Sequence, residues 1–403
     1  MKSVAFILET TLRKQFQKLG EKMNNRNRTI ATILFIIVLS LAIFQGFGMK
    51  IIYLGSGFVL MAIGMQYYIV SKKRIDNKLY NLILLWIIFH LFLCIRDLSF
   101  VSIYISMQHI GIVLFAWYMI NSDTTSLDGK ILSKYLRLLH YSVMLFLLYL
   151  SLQNSSRAIE FENYVYIGLA TISYAINKME KARLLKITSI VALWVLITYK
   201  IGARAQIISY ILFGIILFFL KNRSEKKQKV IDYMFIVAYT FLNFFPLIYT
   251  YLGVSKYRSV LDLFAISITG SRFFSGRDIL WSNVYVNSKT VFQYIFGFGL
   301  TYTEEAFRTE MSLHSLYVTL FAEGGIIMIV LLGMIMFRMW KIINHNYTAM
   351  SGIVLAFIMV ILYKQSFDIS LIENNLWVAF GVWVTIGLGA SRNELYASKV
   401  KTK

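Results

Sequence analysis

The sequence predicts an all-α integral membrane protein of about twelve transmembrane helices, with one large structured outer loop between the ninth and tenth. Three observations point there. Of the 403 residues, 58% are hydrophobic and only 15% charged, with a mean hydropathy of +0.64, whereas a soluble domain is about a quarter charged and slightly under half apolar. Apolar stretches of ~17–25 residues recur along the whole chain, each long enough to cross a bilayer. Lys and Arg gather in alternate connections between those stretches. A membrane barrel would show short alternating segments instead, and none are present, so helices are left to satisfy the backbone in lipid.

Residues 1–28 are polar and basic, lack the apolar core of a cleavable signal peptide, and are expected to be cytoplasmic. Nine spans are expected within 29–252, near 29–48, 51–70, 79–95, 98–120, 136–152, 161–177, 184–200, 204–220 and 230–252. The outer loop follows at 253–313. Three more spans occupy 314–390, near 314–337, 348–363 and 369–390, before a cytoplasmic tail at 391–403. With the N-terminus inside, the inner segments hold 29 of the 41 Lys and Arg, and each carries at least two. That is the positive-inside pattern. The net charge of +21 is therefore read as topology and headgroup contact, not as a nucleic-acid surface. The single cysteine, Cys94, excludes an intramolecular disulfide framework and a multi-cysteine metal site.

The sequence carries no internal repeat, low-complexity tract or soluble domain. Its one long connection, 253–313, is rich in aromatic and aliphatic residues from Leu261 to Phe298, so it is expected to fold. Within it, Asp278 to Val286 fits a short amphipathic helix lying at the interface. Pro246, the only proline, falls inside the ninth span and is expected to kink or break it.

Nine of the twelve outer cations lie from Lys200 onward. Lys200 and Arg204 are the two ends of a five-residue connection. Two readings of Arg204 stay open: a snorkelling side chain at a helix end, or a cation joined to the positive end of a helix as an anion site. In the loop, Lys256, Arg258, Arg272 and Arg277 stand among small and aromatic residues. Arg272 and Arg277 suit bidentate capture of a phosphate, or anchoring to lipid headgroups. His314 opens the tenth span at the water–lipid boundary, as an interfacial polar residue or as a proton acceptor near neutral pH. On a helix it would share a face with Tyr317 and Phe321, while Glu323 would lie about half a turn round, against a neighbour beside Gly324-Gly325. Glu310, four residues earlier, is placed to orient His314 if the helix begins early. His90, His109, His140 and His345 are read as structural.

The order of these features resembles the O-antigen ligase and polymerase superfamily of bacterial envelope-polysaccharide enzymes. The resemblance rests on Gly202-Ala203-Arg204, Ser275-Gly276-Arg277 followed by Trp281, Gly297-Phe298-Gly299, His314 and Glu323-Gly324-Gly325, and covers about residues 198–335. It implies a C-type membrane glycosyltransferase without metal, nucleotide sugar or other cofactor, acting on the outer side of the bacterial cytoplasmic membrane. The donor it implies is a glycan on undecaprenyl pyrophosphate. By the same resemblance Arg204 and Arg277 hold the pyrophosphate and His314 contacts or deprotonates the acceptor hydroxyl. Arg272, Lys200, Lys256, Arg258, Tyr317 and Glu310 are the expected additional contacts to pyrophosphate or glycan.

Negative charge develops on a departing pyrophosphate, so fixed arginines stabilise the transition state more than the ground state, and an aligned base adds ~10²–10⁴-fold. One direct attack at the anomeric carbon inverts configuration. Asp262, Asp278, Glu304, Glu305 and Glu310 are alternatives to His314 as base, or ligands for sugar hydroxyls. The family often has asparagine after the histidine. Ser315 stands there in this chain, and that divergence favours a polysaccharide polymerase, whose acceptor is another lipid-linked repeat unit. An O-antigen ligase acting on lipid-A core is the alternative, and a lipid-linked oligosaccharide flippase is a second. The partners expected are the lipid-linked oligosaccharide, the bilayer, a chain-length regulator and a flippase, with no nucleic acid.

Overall fold

The computed structural model describes residues 76–121, 129–152, 171, 183–201, 204–221, 227–269, 272–274, 276–302, 313–345, 349–369, 371–372 and 376–390. Among them the regular elements are all helices. The expected spans near 29–48 and 51–70, and 161–177 apart from residue 171, lie outside the described residues.

The helices are α1 (Asn77–Asp97), α2 (Phe100–Asn121), α3 (Gly129–Leu152), α4 (Arg183–Ile201), α5 (Arg204–Lys221) and α6 (Gln228–Val254). They continue with α7 (Arg258–Thr269), α8 (Arg277–Asn287), α9 (Val291–Phe296), α10 (Leu316–Asn344), α11 (Ala349–Lys364) and α12 (Leu376–Ala390). Four are long and apolar enough to cross a membrane: α1, α2 through Trp117, α6 and α10. Shorter apolar helices at Leu185–Tyr199, Ala205–Leu220 and Ser351–Lys364 stand beside them. Together they mark the chain as a membrane protein. The outward faces agree, since Leu85, Ile88, Leu91 and Ile95 form an exposed apolar stripe on α1, a surface that lipid tolerates and water does not.

α10 is the central strut, packed against α1, α6, α9 and α11. Antiparallel pairing with α6 is fixed at one end, where the Asn344 amide donates to the Gln228 carbonyl at 3.2 Å and to Asp232 at 3.0 Å. At that same end Asp76 caps α1, accepting from Lys78 and Leu79, and takes an ion pair from Arg338 at 2.5 Å. The opposite end of the bundle carries α7, α8 and α9.

Several expectations change here. α6 runs unbroken through Pro246, which is buried. A proline ring deletes one intrahelical hydrogen bond, but the helix does not end there. The helix expected over 278–286 forms as α8. Its Asp278, Trp281 and Val284 are buried against α6 and α10, so its inner face belongs to the protein core and not to the interface. Where a helix is expected from 369, Gln365 to Asp368 folds into a turn over the head of α10, and the described last helix is Leu376–Ala390. α10 starts at Leu316, which leaves His314 outside it and removes the helical face expected to join His314 to Tyr317 and Phe321.

α10 is also interrupted. Gly325 has φ 62° and ψ −158°, far from helical. Into that gap comes the turn after α9: the Phe298 amide donates to the Ala322 carbonyl at 2.7 Å. A Cβ on Gly297 would lie 2.6 Å from the Glu323 carbonyl carbon, and one on Gly325 would lie 2.4 Å from the Ile295 backbone. Glycine at both positions lets two backbones touch where any other residue would hold them apart. Glu323 is fully buried, and its backbone lies at this junction. From the far side α1 clasps the same turn: Arg96 donates to the Phe296 carbonyl at 3.0 Å and Asp97 accepts from the Leu300 amide at 2.6 Å.

Candidate functional site

The site is a set of groups that three separate segments bring to the α7–α9 end of the bundle. The first is the head of α8. Tyr249 on α6 donates to the Phe273 carbonyl at 3.1 Å, and Asp262 on α7 accepts from the Phe274 amide at 3.0 Å. With the approach thus pinned, Gly276 turns the chain at φ 88° and Arg277 opens α8. The Arg277 guanidinium lies over the Phe367 ring, 5.8 Å from its centroid.

The second segment is His314. Its predecessor Leu313 accepts from the Trp281 indole at 2.7 Å. On the other side the Leu316 amide donates to both the Gln365 and Asp368 carbonyls at 3.0 Å. Held from both sides, His314 adopts φ 50° and stands exposed. A left-handed conformation is uncommon for a residue with a Cβ, and such strain persists only where surrounding contacts impose it, often at functional positions.

The third segment is the turn after α11, which supplies Phe367 and Asp368. Asp368 is electrostatically coupled to both Arg277 and His314. Though the residue is exposed, its ring is partly withdrawn from water, and this desolvation, followed by the Arg277 charge, pushes the His314 imidazole below its ordinary pKa, while Asp368 pulls it back. At neutral pH the ring is therefore neutral and able to accept a proton. Burial also lowers the Arg277 pKa, opposed by Tyr249 and Asp368; a guanidinium keeps its charge under such a shift. A fixed cation, a neutral imidazole and a carboxylate thus share one place, which suits binding an anion beside a group that takes up a proton.

The expected residues divide. Arg277 and His314 are brought together. Arg258 is drawn into structure: it pairs with the fully buried Asp278 at 2.7 Å, donates to the Gly253 carbonyl at 3.0 Å and stacks over Phe274 at 5.5 Å. The Tyr317 hydroxyl is buried and donates to the Leu362 carbonyl at 2.8 Å. Asp262 and Asp278, alternatives to His314 as base, are engaged by Phe274 and Arg258 respectively. Lys256 and Arg272 are exposed, and Lys256 leans over Tyr257 at 5.4 Å.

Lys200 lies in the last turn of α4, and Arg204 is the first residue of α5. α5 packs on α11, with Gly352 against the Leu220 carbonyl at the far end, so α5 opens at the same end as the Lys364–Asp368 turn. Glu304, Glu305 and Glu310 lie outside the described residues. Among the described residues no group of three or more His, Cys, Asp or Glu is placed to hold a metal ion.

Asp368, Tyr249 and Phe367 join the site without having been anticipated. The signal for Asp368 was present, as an acid in a very short outer connection, where weighing the outer cations alone passes over it. No protein-family model, curated protein or solved structure matches this chain.

Proposed function

We propose that this chain is a polysaccharide polymerase of the bacterial cytoplasmic membrane, with about twelve spans, both termini inside and the site facing outward. It moves a glycan from undecaprenyl pyrophosphate to the sugar of another lipid-linked repeat unit. The observation that carries this reading is the meeting of Arg277, His314 and Asp368 from three segments at one end of an apolar helix bundle.

In the reaction, an acceptor hydroxyl oxygen attacks the anomeric carbon while the bond from that carbon to the pyrophosphate oxygen breaks. His314 takes the hydroxyl proton, and the electron pair leaves with the pyrophosphate. Arg277 stabilises the charge that develops there, the term that most often dominates such catalysis. Asp368 stabilises the imidazolium once it forms. Arg204 contributes a second cation at the head of α5, near the same end of the bundle. A single displacement inverts the anomeric centre.

The test uses purified full-length protein with synthetic undecaprenyl-pyrophosphate-linked repeat units, with and without chelator. The reading expects longer glycans and free undecaprenyl pyrophosphate in both arms. No extension, together with movement of the lipid across liposomes, would replace it with transport. Extension only onto lipid-A core would replace it with ligation.

A further inference from the structure

We infer that α7 is seated in the membrane leaflet at its end of the bundle, on phospholipid with anionic headgroups, and that this seat steadies the head of α8. On the reading just given that leaflet is the outer one, but the seat does not depend on the reaction. The sequence places an interfacial amphipathic helix at 278–286. In the structure α8 turns its apolar face into the core, and the helix before it carries the exposed apolar side. Val260, Leu263 and Phe264 are 62%, 68% and 65% exposed. Spaced i, i+3 and i+4, they lie on one face of α7.

That arrangement is inverted for a helix in water, which keeps its polar groups outward and its apolar groups inward. The inward side of α7 carries the charges. Arg258 reaches the fully buried Asp278 and the Gly253 carbonyl, and Asp262 accepts from the Phe274 amide. Leu261, packed on the cluster around Trp281, and the buried Ala265 complete that side. A helix with an apolar outward face fits hydrocarbon, as an interfacial helix does.

Position and charge name the medium. α6 is long and apolar enough to cross a bilayer, and α7 begins after only three residues, 255–257, so it starts at the edge of the hydrocarbon. Tyr251 and Val254 in the last turn of α6, and Tyr257 in the connection, are exposed too, so the apolar surface continues from the span into α7. Lys256 just before α7 and Arg272 just after it are exposed. The only acid between residues 247 and 277 is Asp262, and it is engaged on the inward side. An apolar stripe flanked by exposed cations fits acyl chains and the phosphates beside them. Two bonds then join this seat to the candidate site: Asp262 pins the approach to α8, and Arg258 holds Asp278, the residue after Arg277.

The test is collisional electron paramagnetic resonance on the full-length protein in nanodiscs of phosphatidylethanolamine and phosphatidylglycerol. Nitroxides are placed at Val260→Cys or Leu263→Cys in a Cys94→Ser background. The seat expects both labels to collide with oxygen dissolved in the bilayer and to be shielded from a water-soluble nickel chelate. That shielding should weaken when phosphatidylcholine replaces the anionic lipid, and when Lys256→Gln and Arg272→Gln are combined. Labels open to nickel in the anionic nanodisc, labels shielded from both quenchers by a second copy or another segment of this chain, or shielding indifferent to both lipid charge and the double variant overturns the seat. The link to α8 is read from a nitroxide at Ile279→Cys, an exposed position on that helix. Leu263→Glu with Phe264→Glu alters only exposed positions, and a wild-type unfolding temperature checks the fold. The Ile279 label should become more mobile in that variant, and also in wild-type protein moved to phosphatidylcholine. Mobility unchanged in both breaks the link. None of these readouts involves glycan transfer, so the seat and the reaction fail separately.

Discussion

The amide of Phe298 donates to the carbonyl of Ala322 at 2.7 Å. In an unbroken helix that carbonyl would be satisfied four residues on, by Ile326. Gly325 leaves helical geometry, and the turn after α9 supplies the missing donor. Broken helices are tolerated at membrane depth only where other backbone or a polar cavity repairs them. Here the repair also carries α9, and with it one side of the outer loop, onto the strut that His314 precedes.

This junction makes glycine substitutions unequal. Gly297→Ala and Gly325→Ala drive a Cβ into backbone at 2.6 and 2.4 Å, so each should cost about 3 kcal/mol or more. Gly276 also has positive φ, at 88°, but a Cβ there meets nothing within 4 Å. Gly276→Ala should cost only the left-handed strain, ~1–2 kcal/mol. Thermal unfolding of the detergent-solubilised protein ranks the three.

Two acids at the same end serve structure. Asp97→Ala strips the Leu300 amide of its acceptor, which should cost ~1–3 kcal/mol. Arg258→Ala leaves the fully buried Asp278 without its cation, which should cost ~3–5 kcal/mol. If Arg258 held substrate instead, its alanine variant would lose donor affinity while unfolding at the wild-type temperature.

The helical framework was legible because a bilayer demands long apolar runs, and such runs are plain at α1, α2, α6 and α10. Arg277 and His314 were legible as charge and imidazole out of place among lipid-facing sequence. Three things were not. Arg258 looked like its neighbour Arg277, and only the fold reveals that Asp278 claims it. His314 looked like a helix opener, because nothing local announces that Trp281 and the 365–368 turn pull its two sides into a left-handed bend. Asp368 sits 54 residues from His314, and proximity across such a separation has no sequence period to betray it.

Turnover should follow the protonation of His314. Only the neutral ring accepts a proton, so the rate rises with pH and reaches half its plateau below the ordinary histidine value of 6.5, in the direction that burial and Arg277 push it. Asp368→Asn removes the group favouring the imidazolium and should move that midpoint lower. Arg277→Gln removes the cation opposing it and should move the midpoint of any residual rate higher. A pH–rate profile of each variant checks the signs.

Arg277→Lys keeps the charge but loses the planar fork and the stacking over Phe367. It should retain donor binding in part and lose ~10²–10³-fold in turnover.

The most direct measurement is single-turnover glycan transfer by purified wild-type, Arg277→Ala and His314→Ala protein, read alongside binding of undecaprenyl pyrophosphate. The account predicts that Arg277→Ala loses both binding and transfer, while His314→Ala binds the lipid normally and transfers ~10²–10⁴-fold more slowly. Wild-type rates from either variant, with the protein folded, would contradict it.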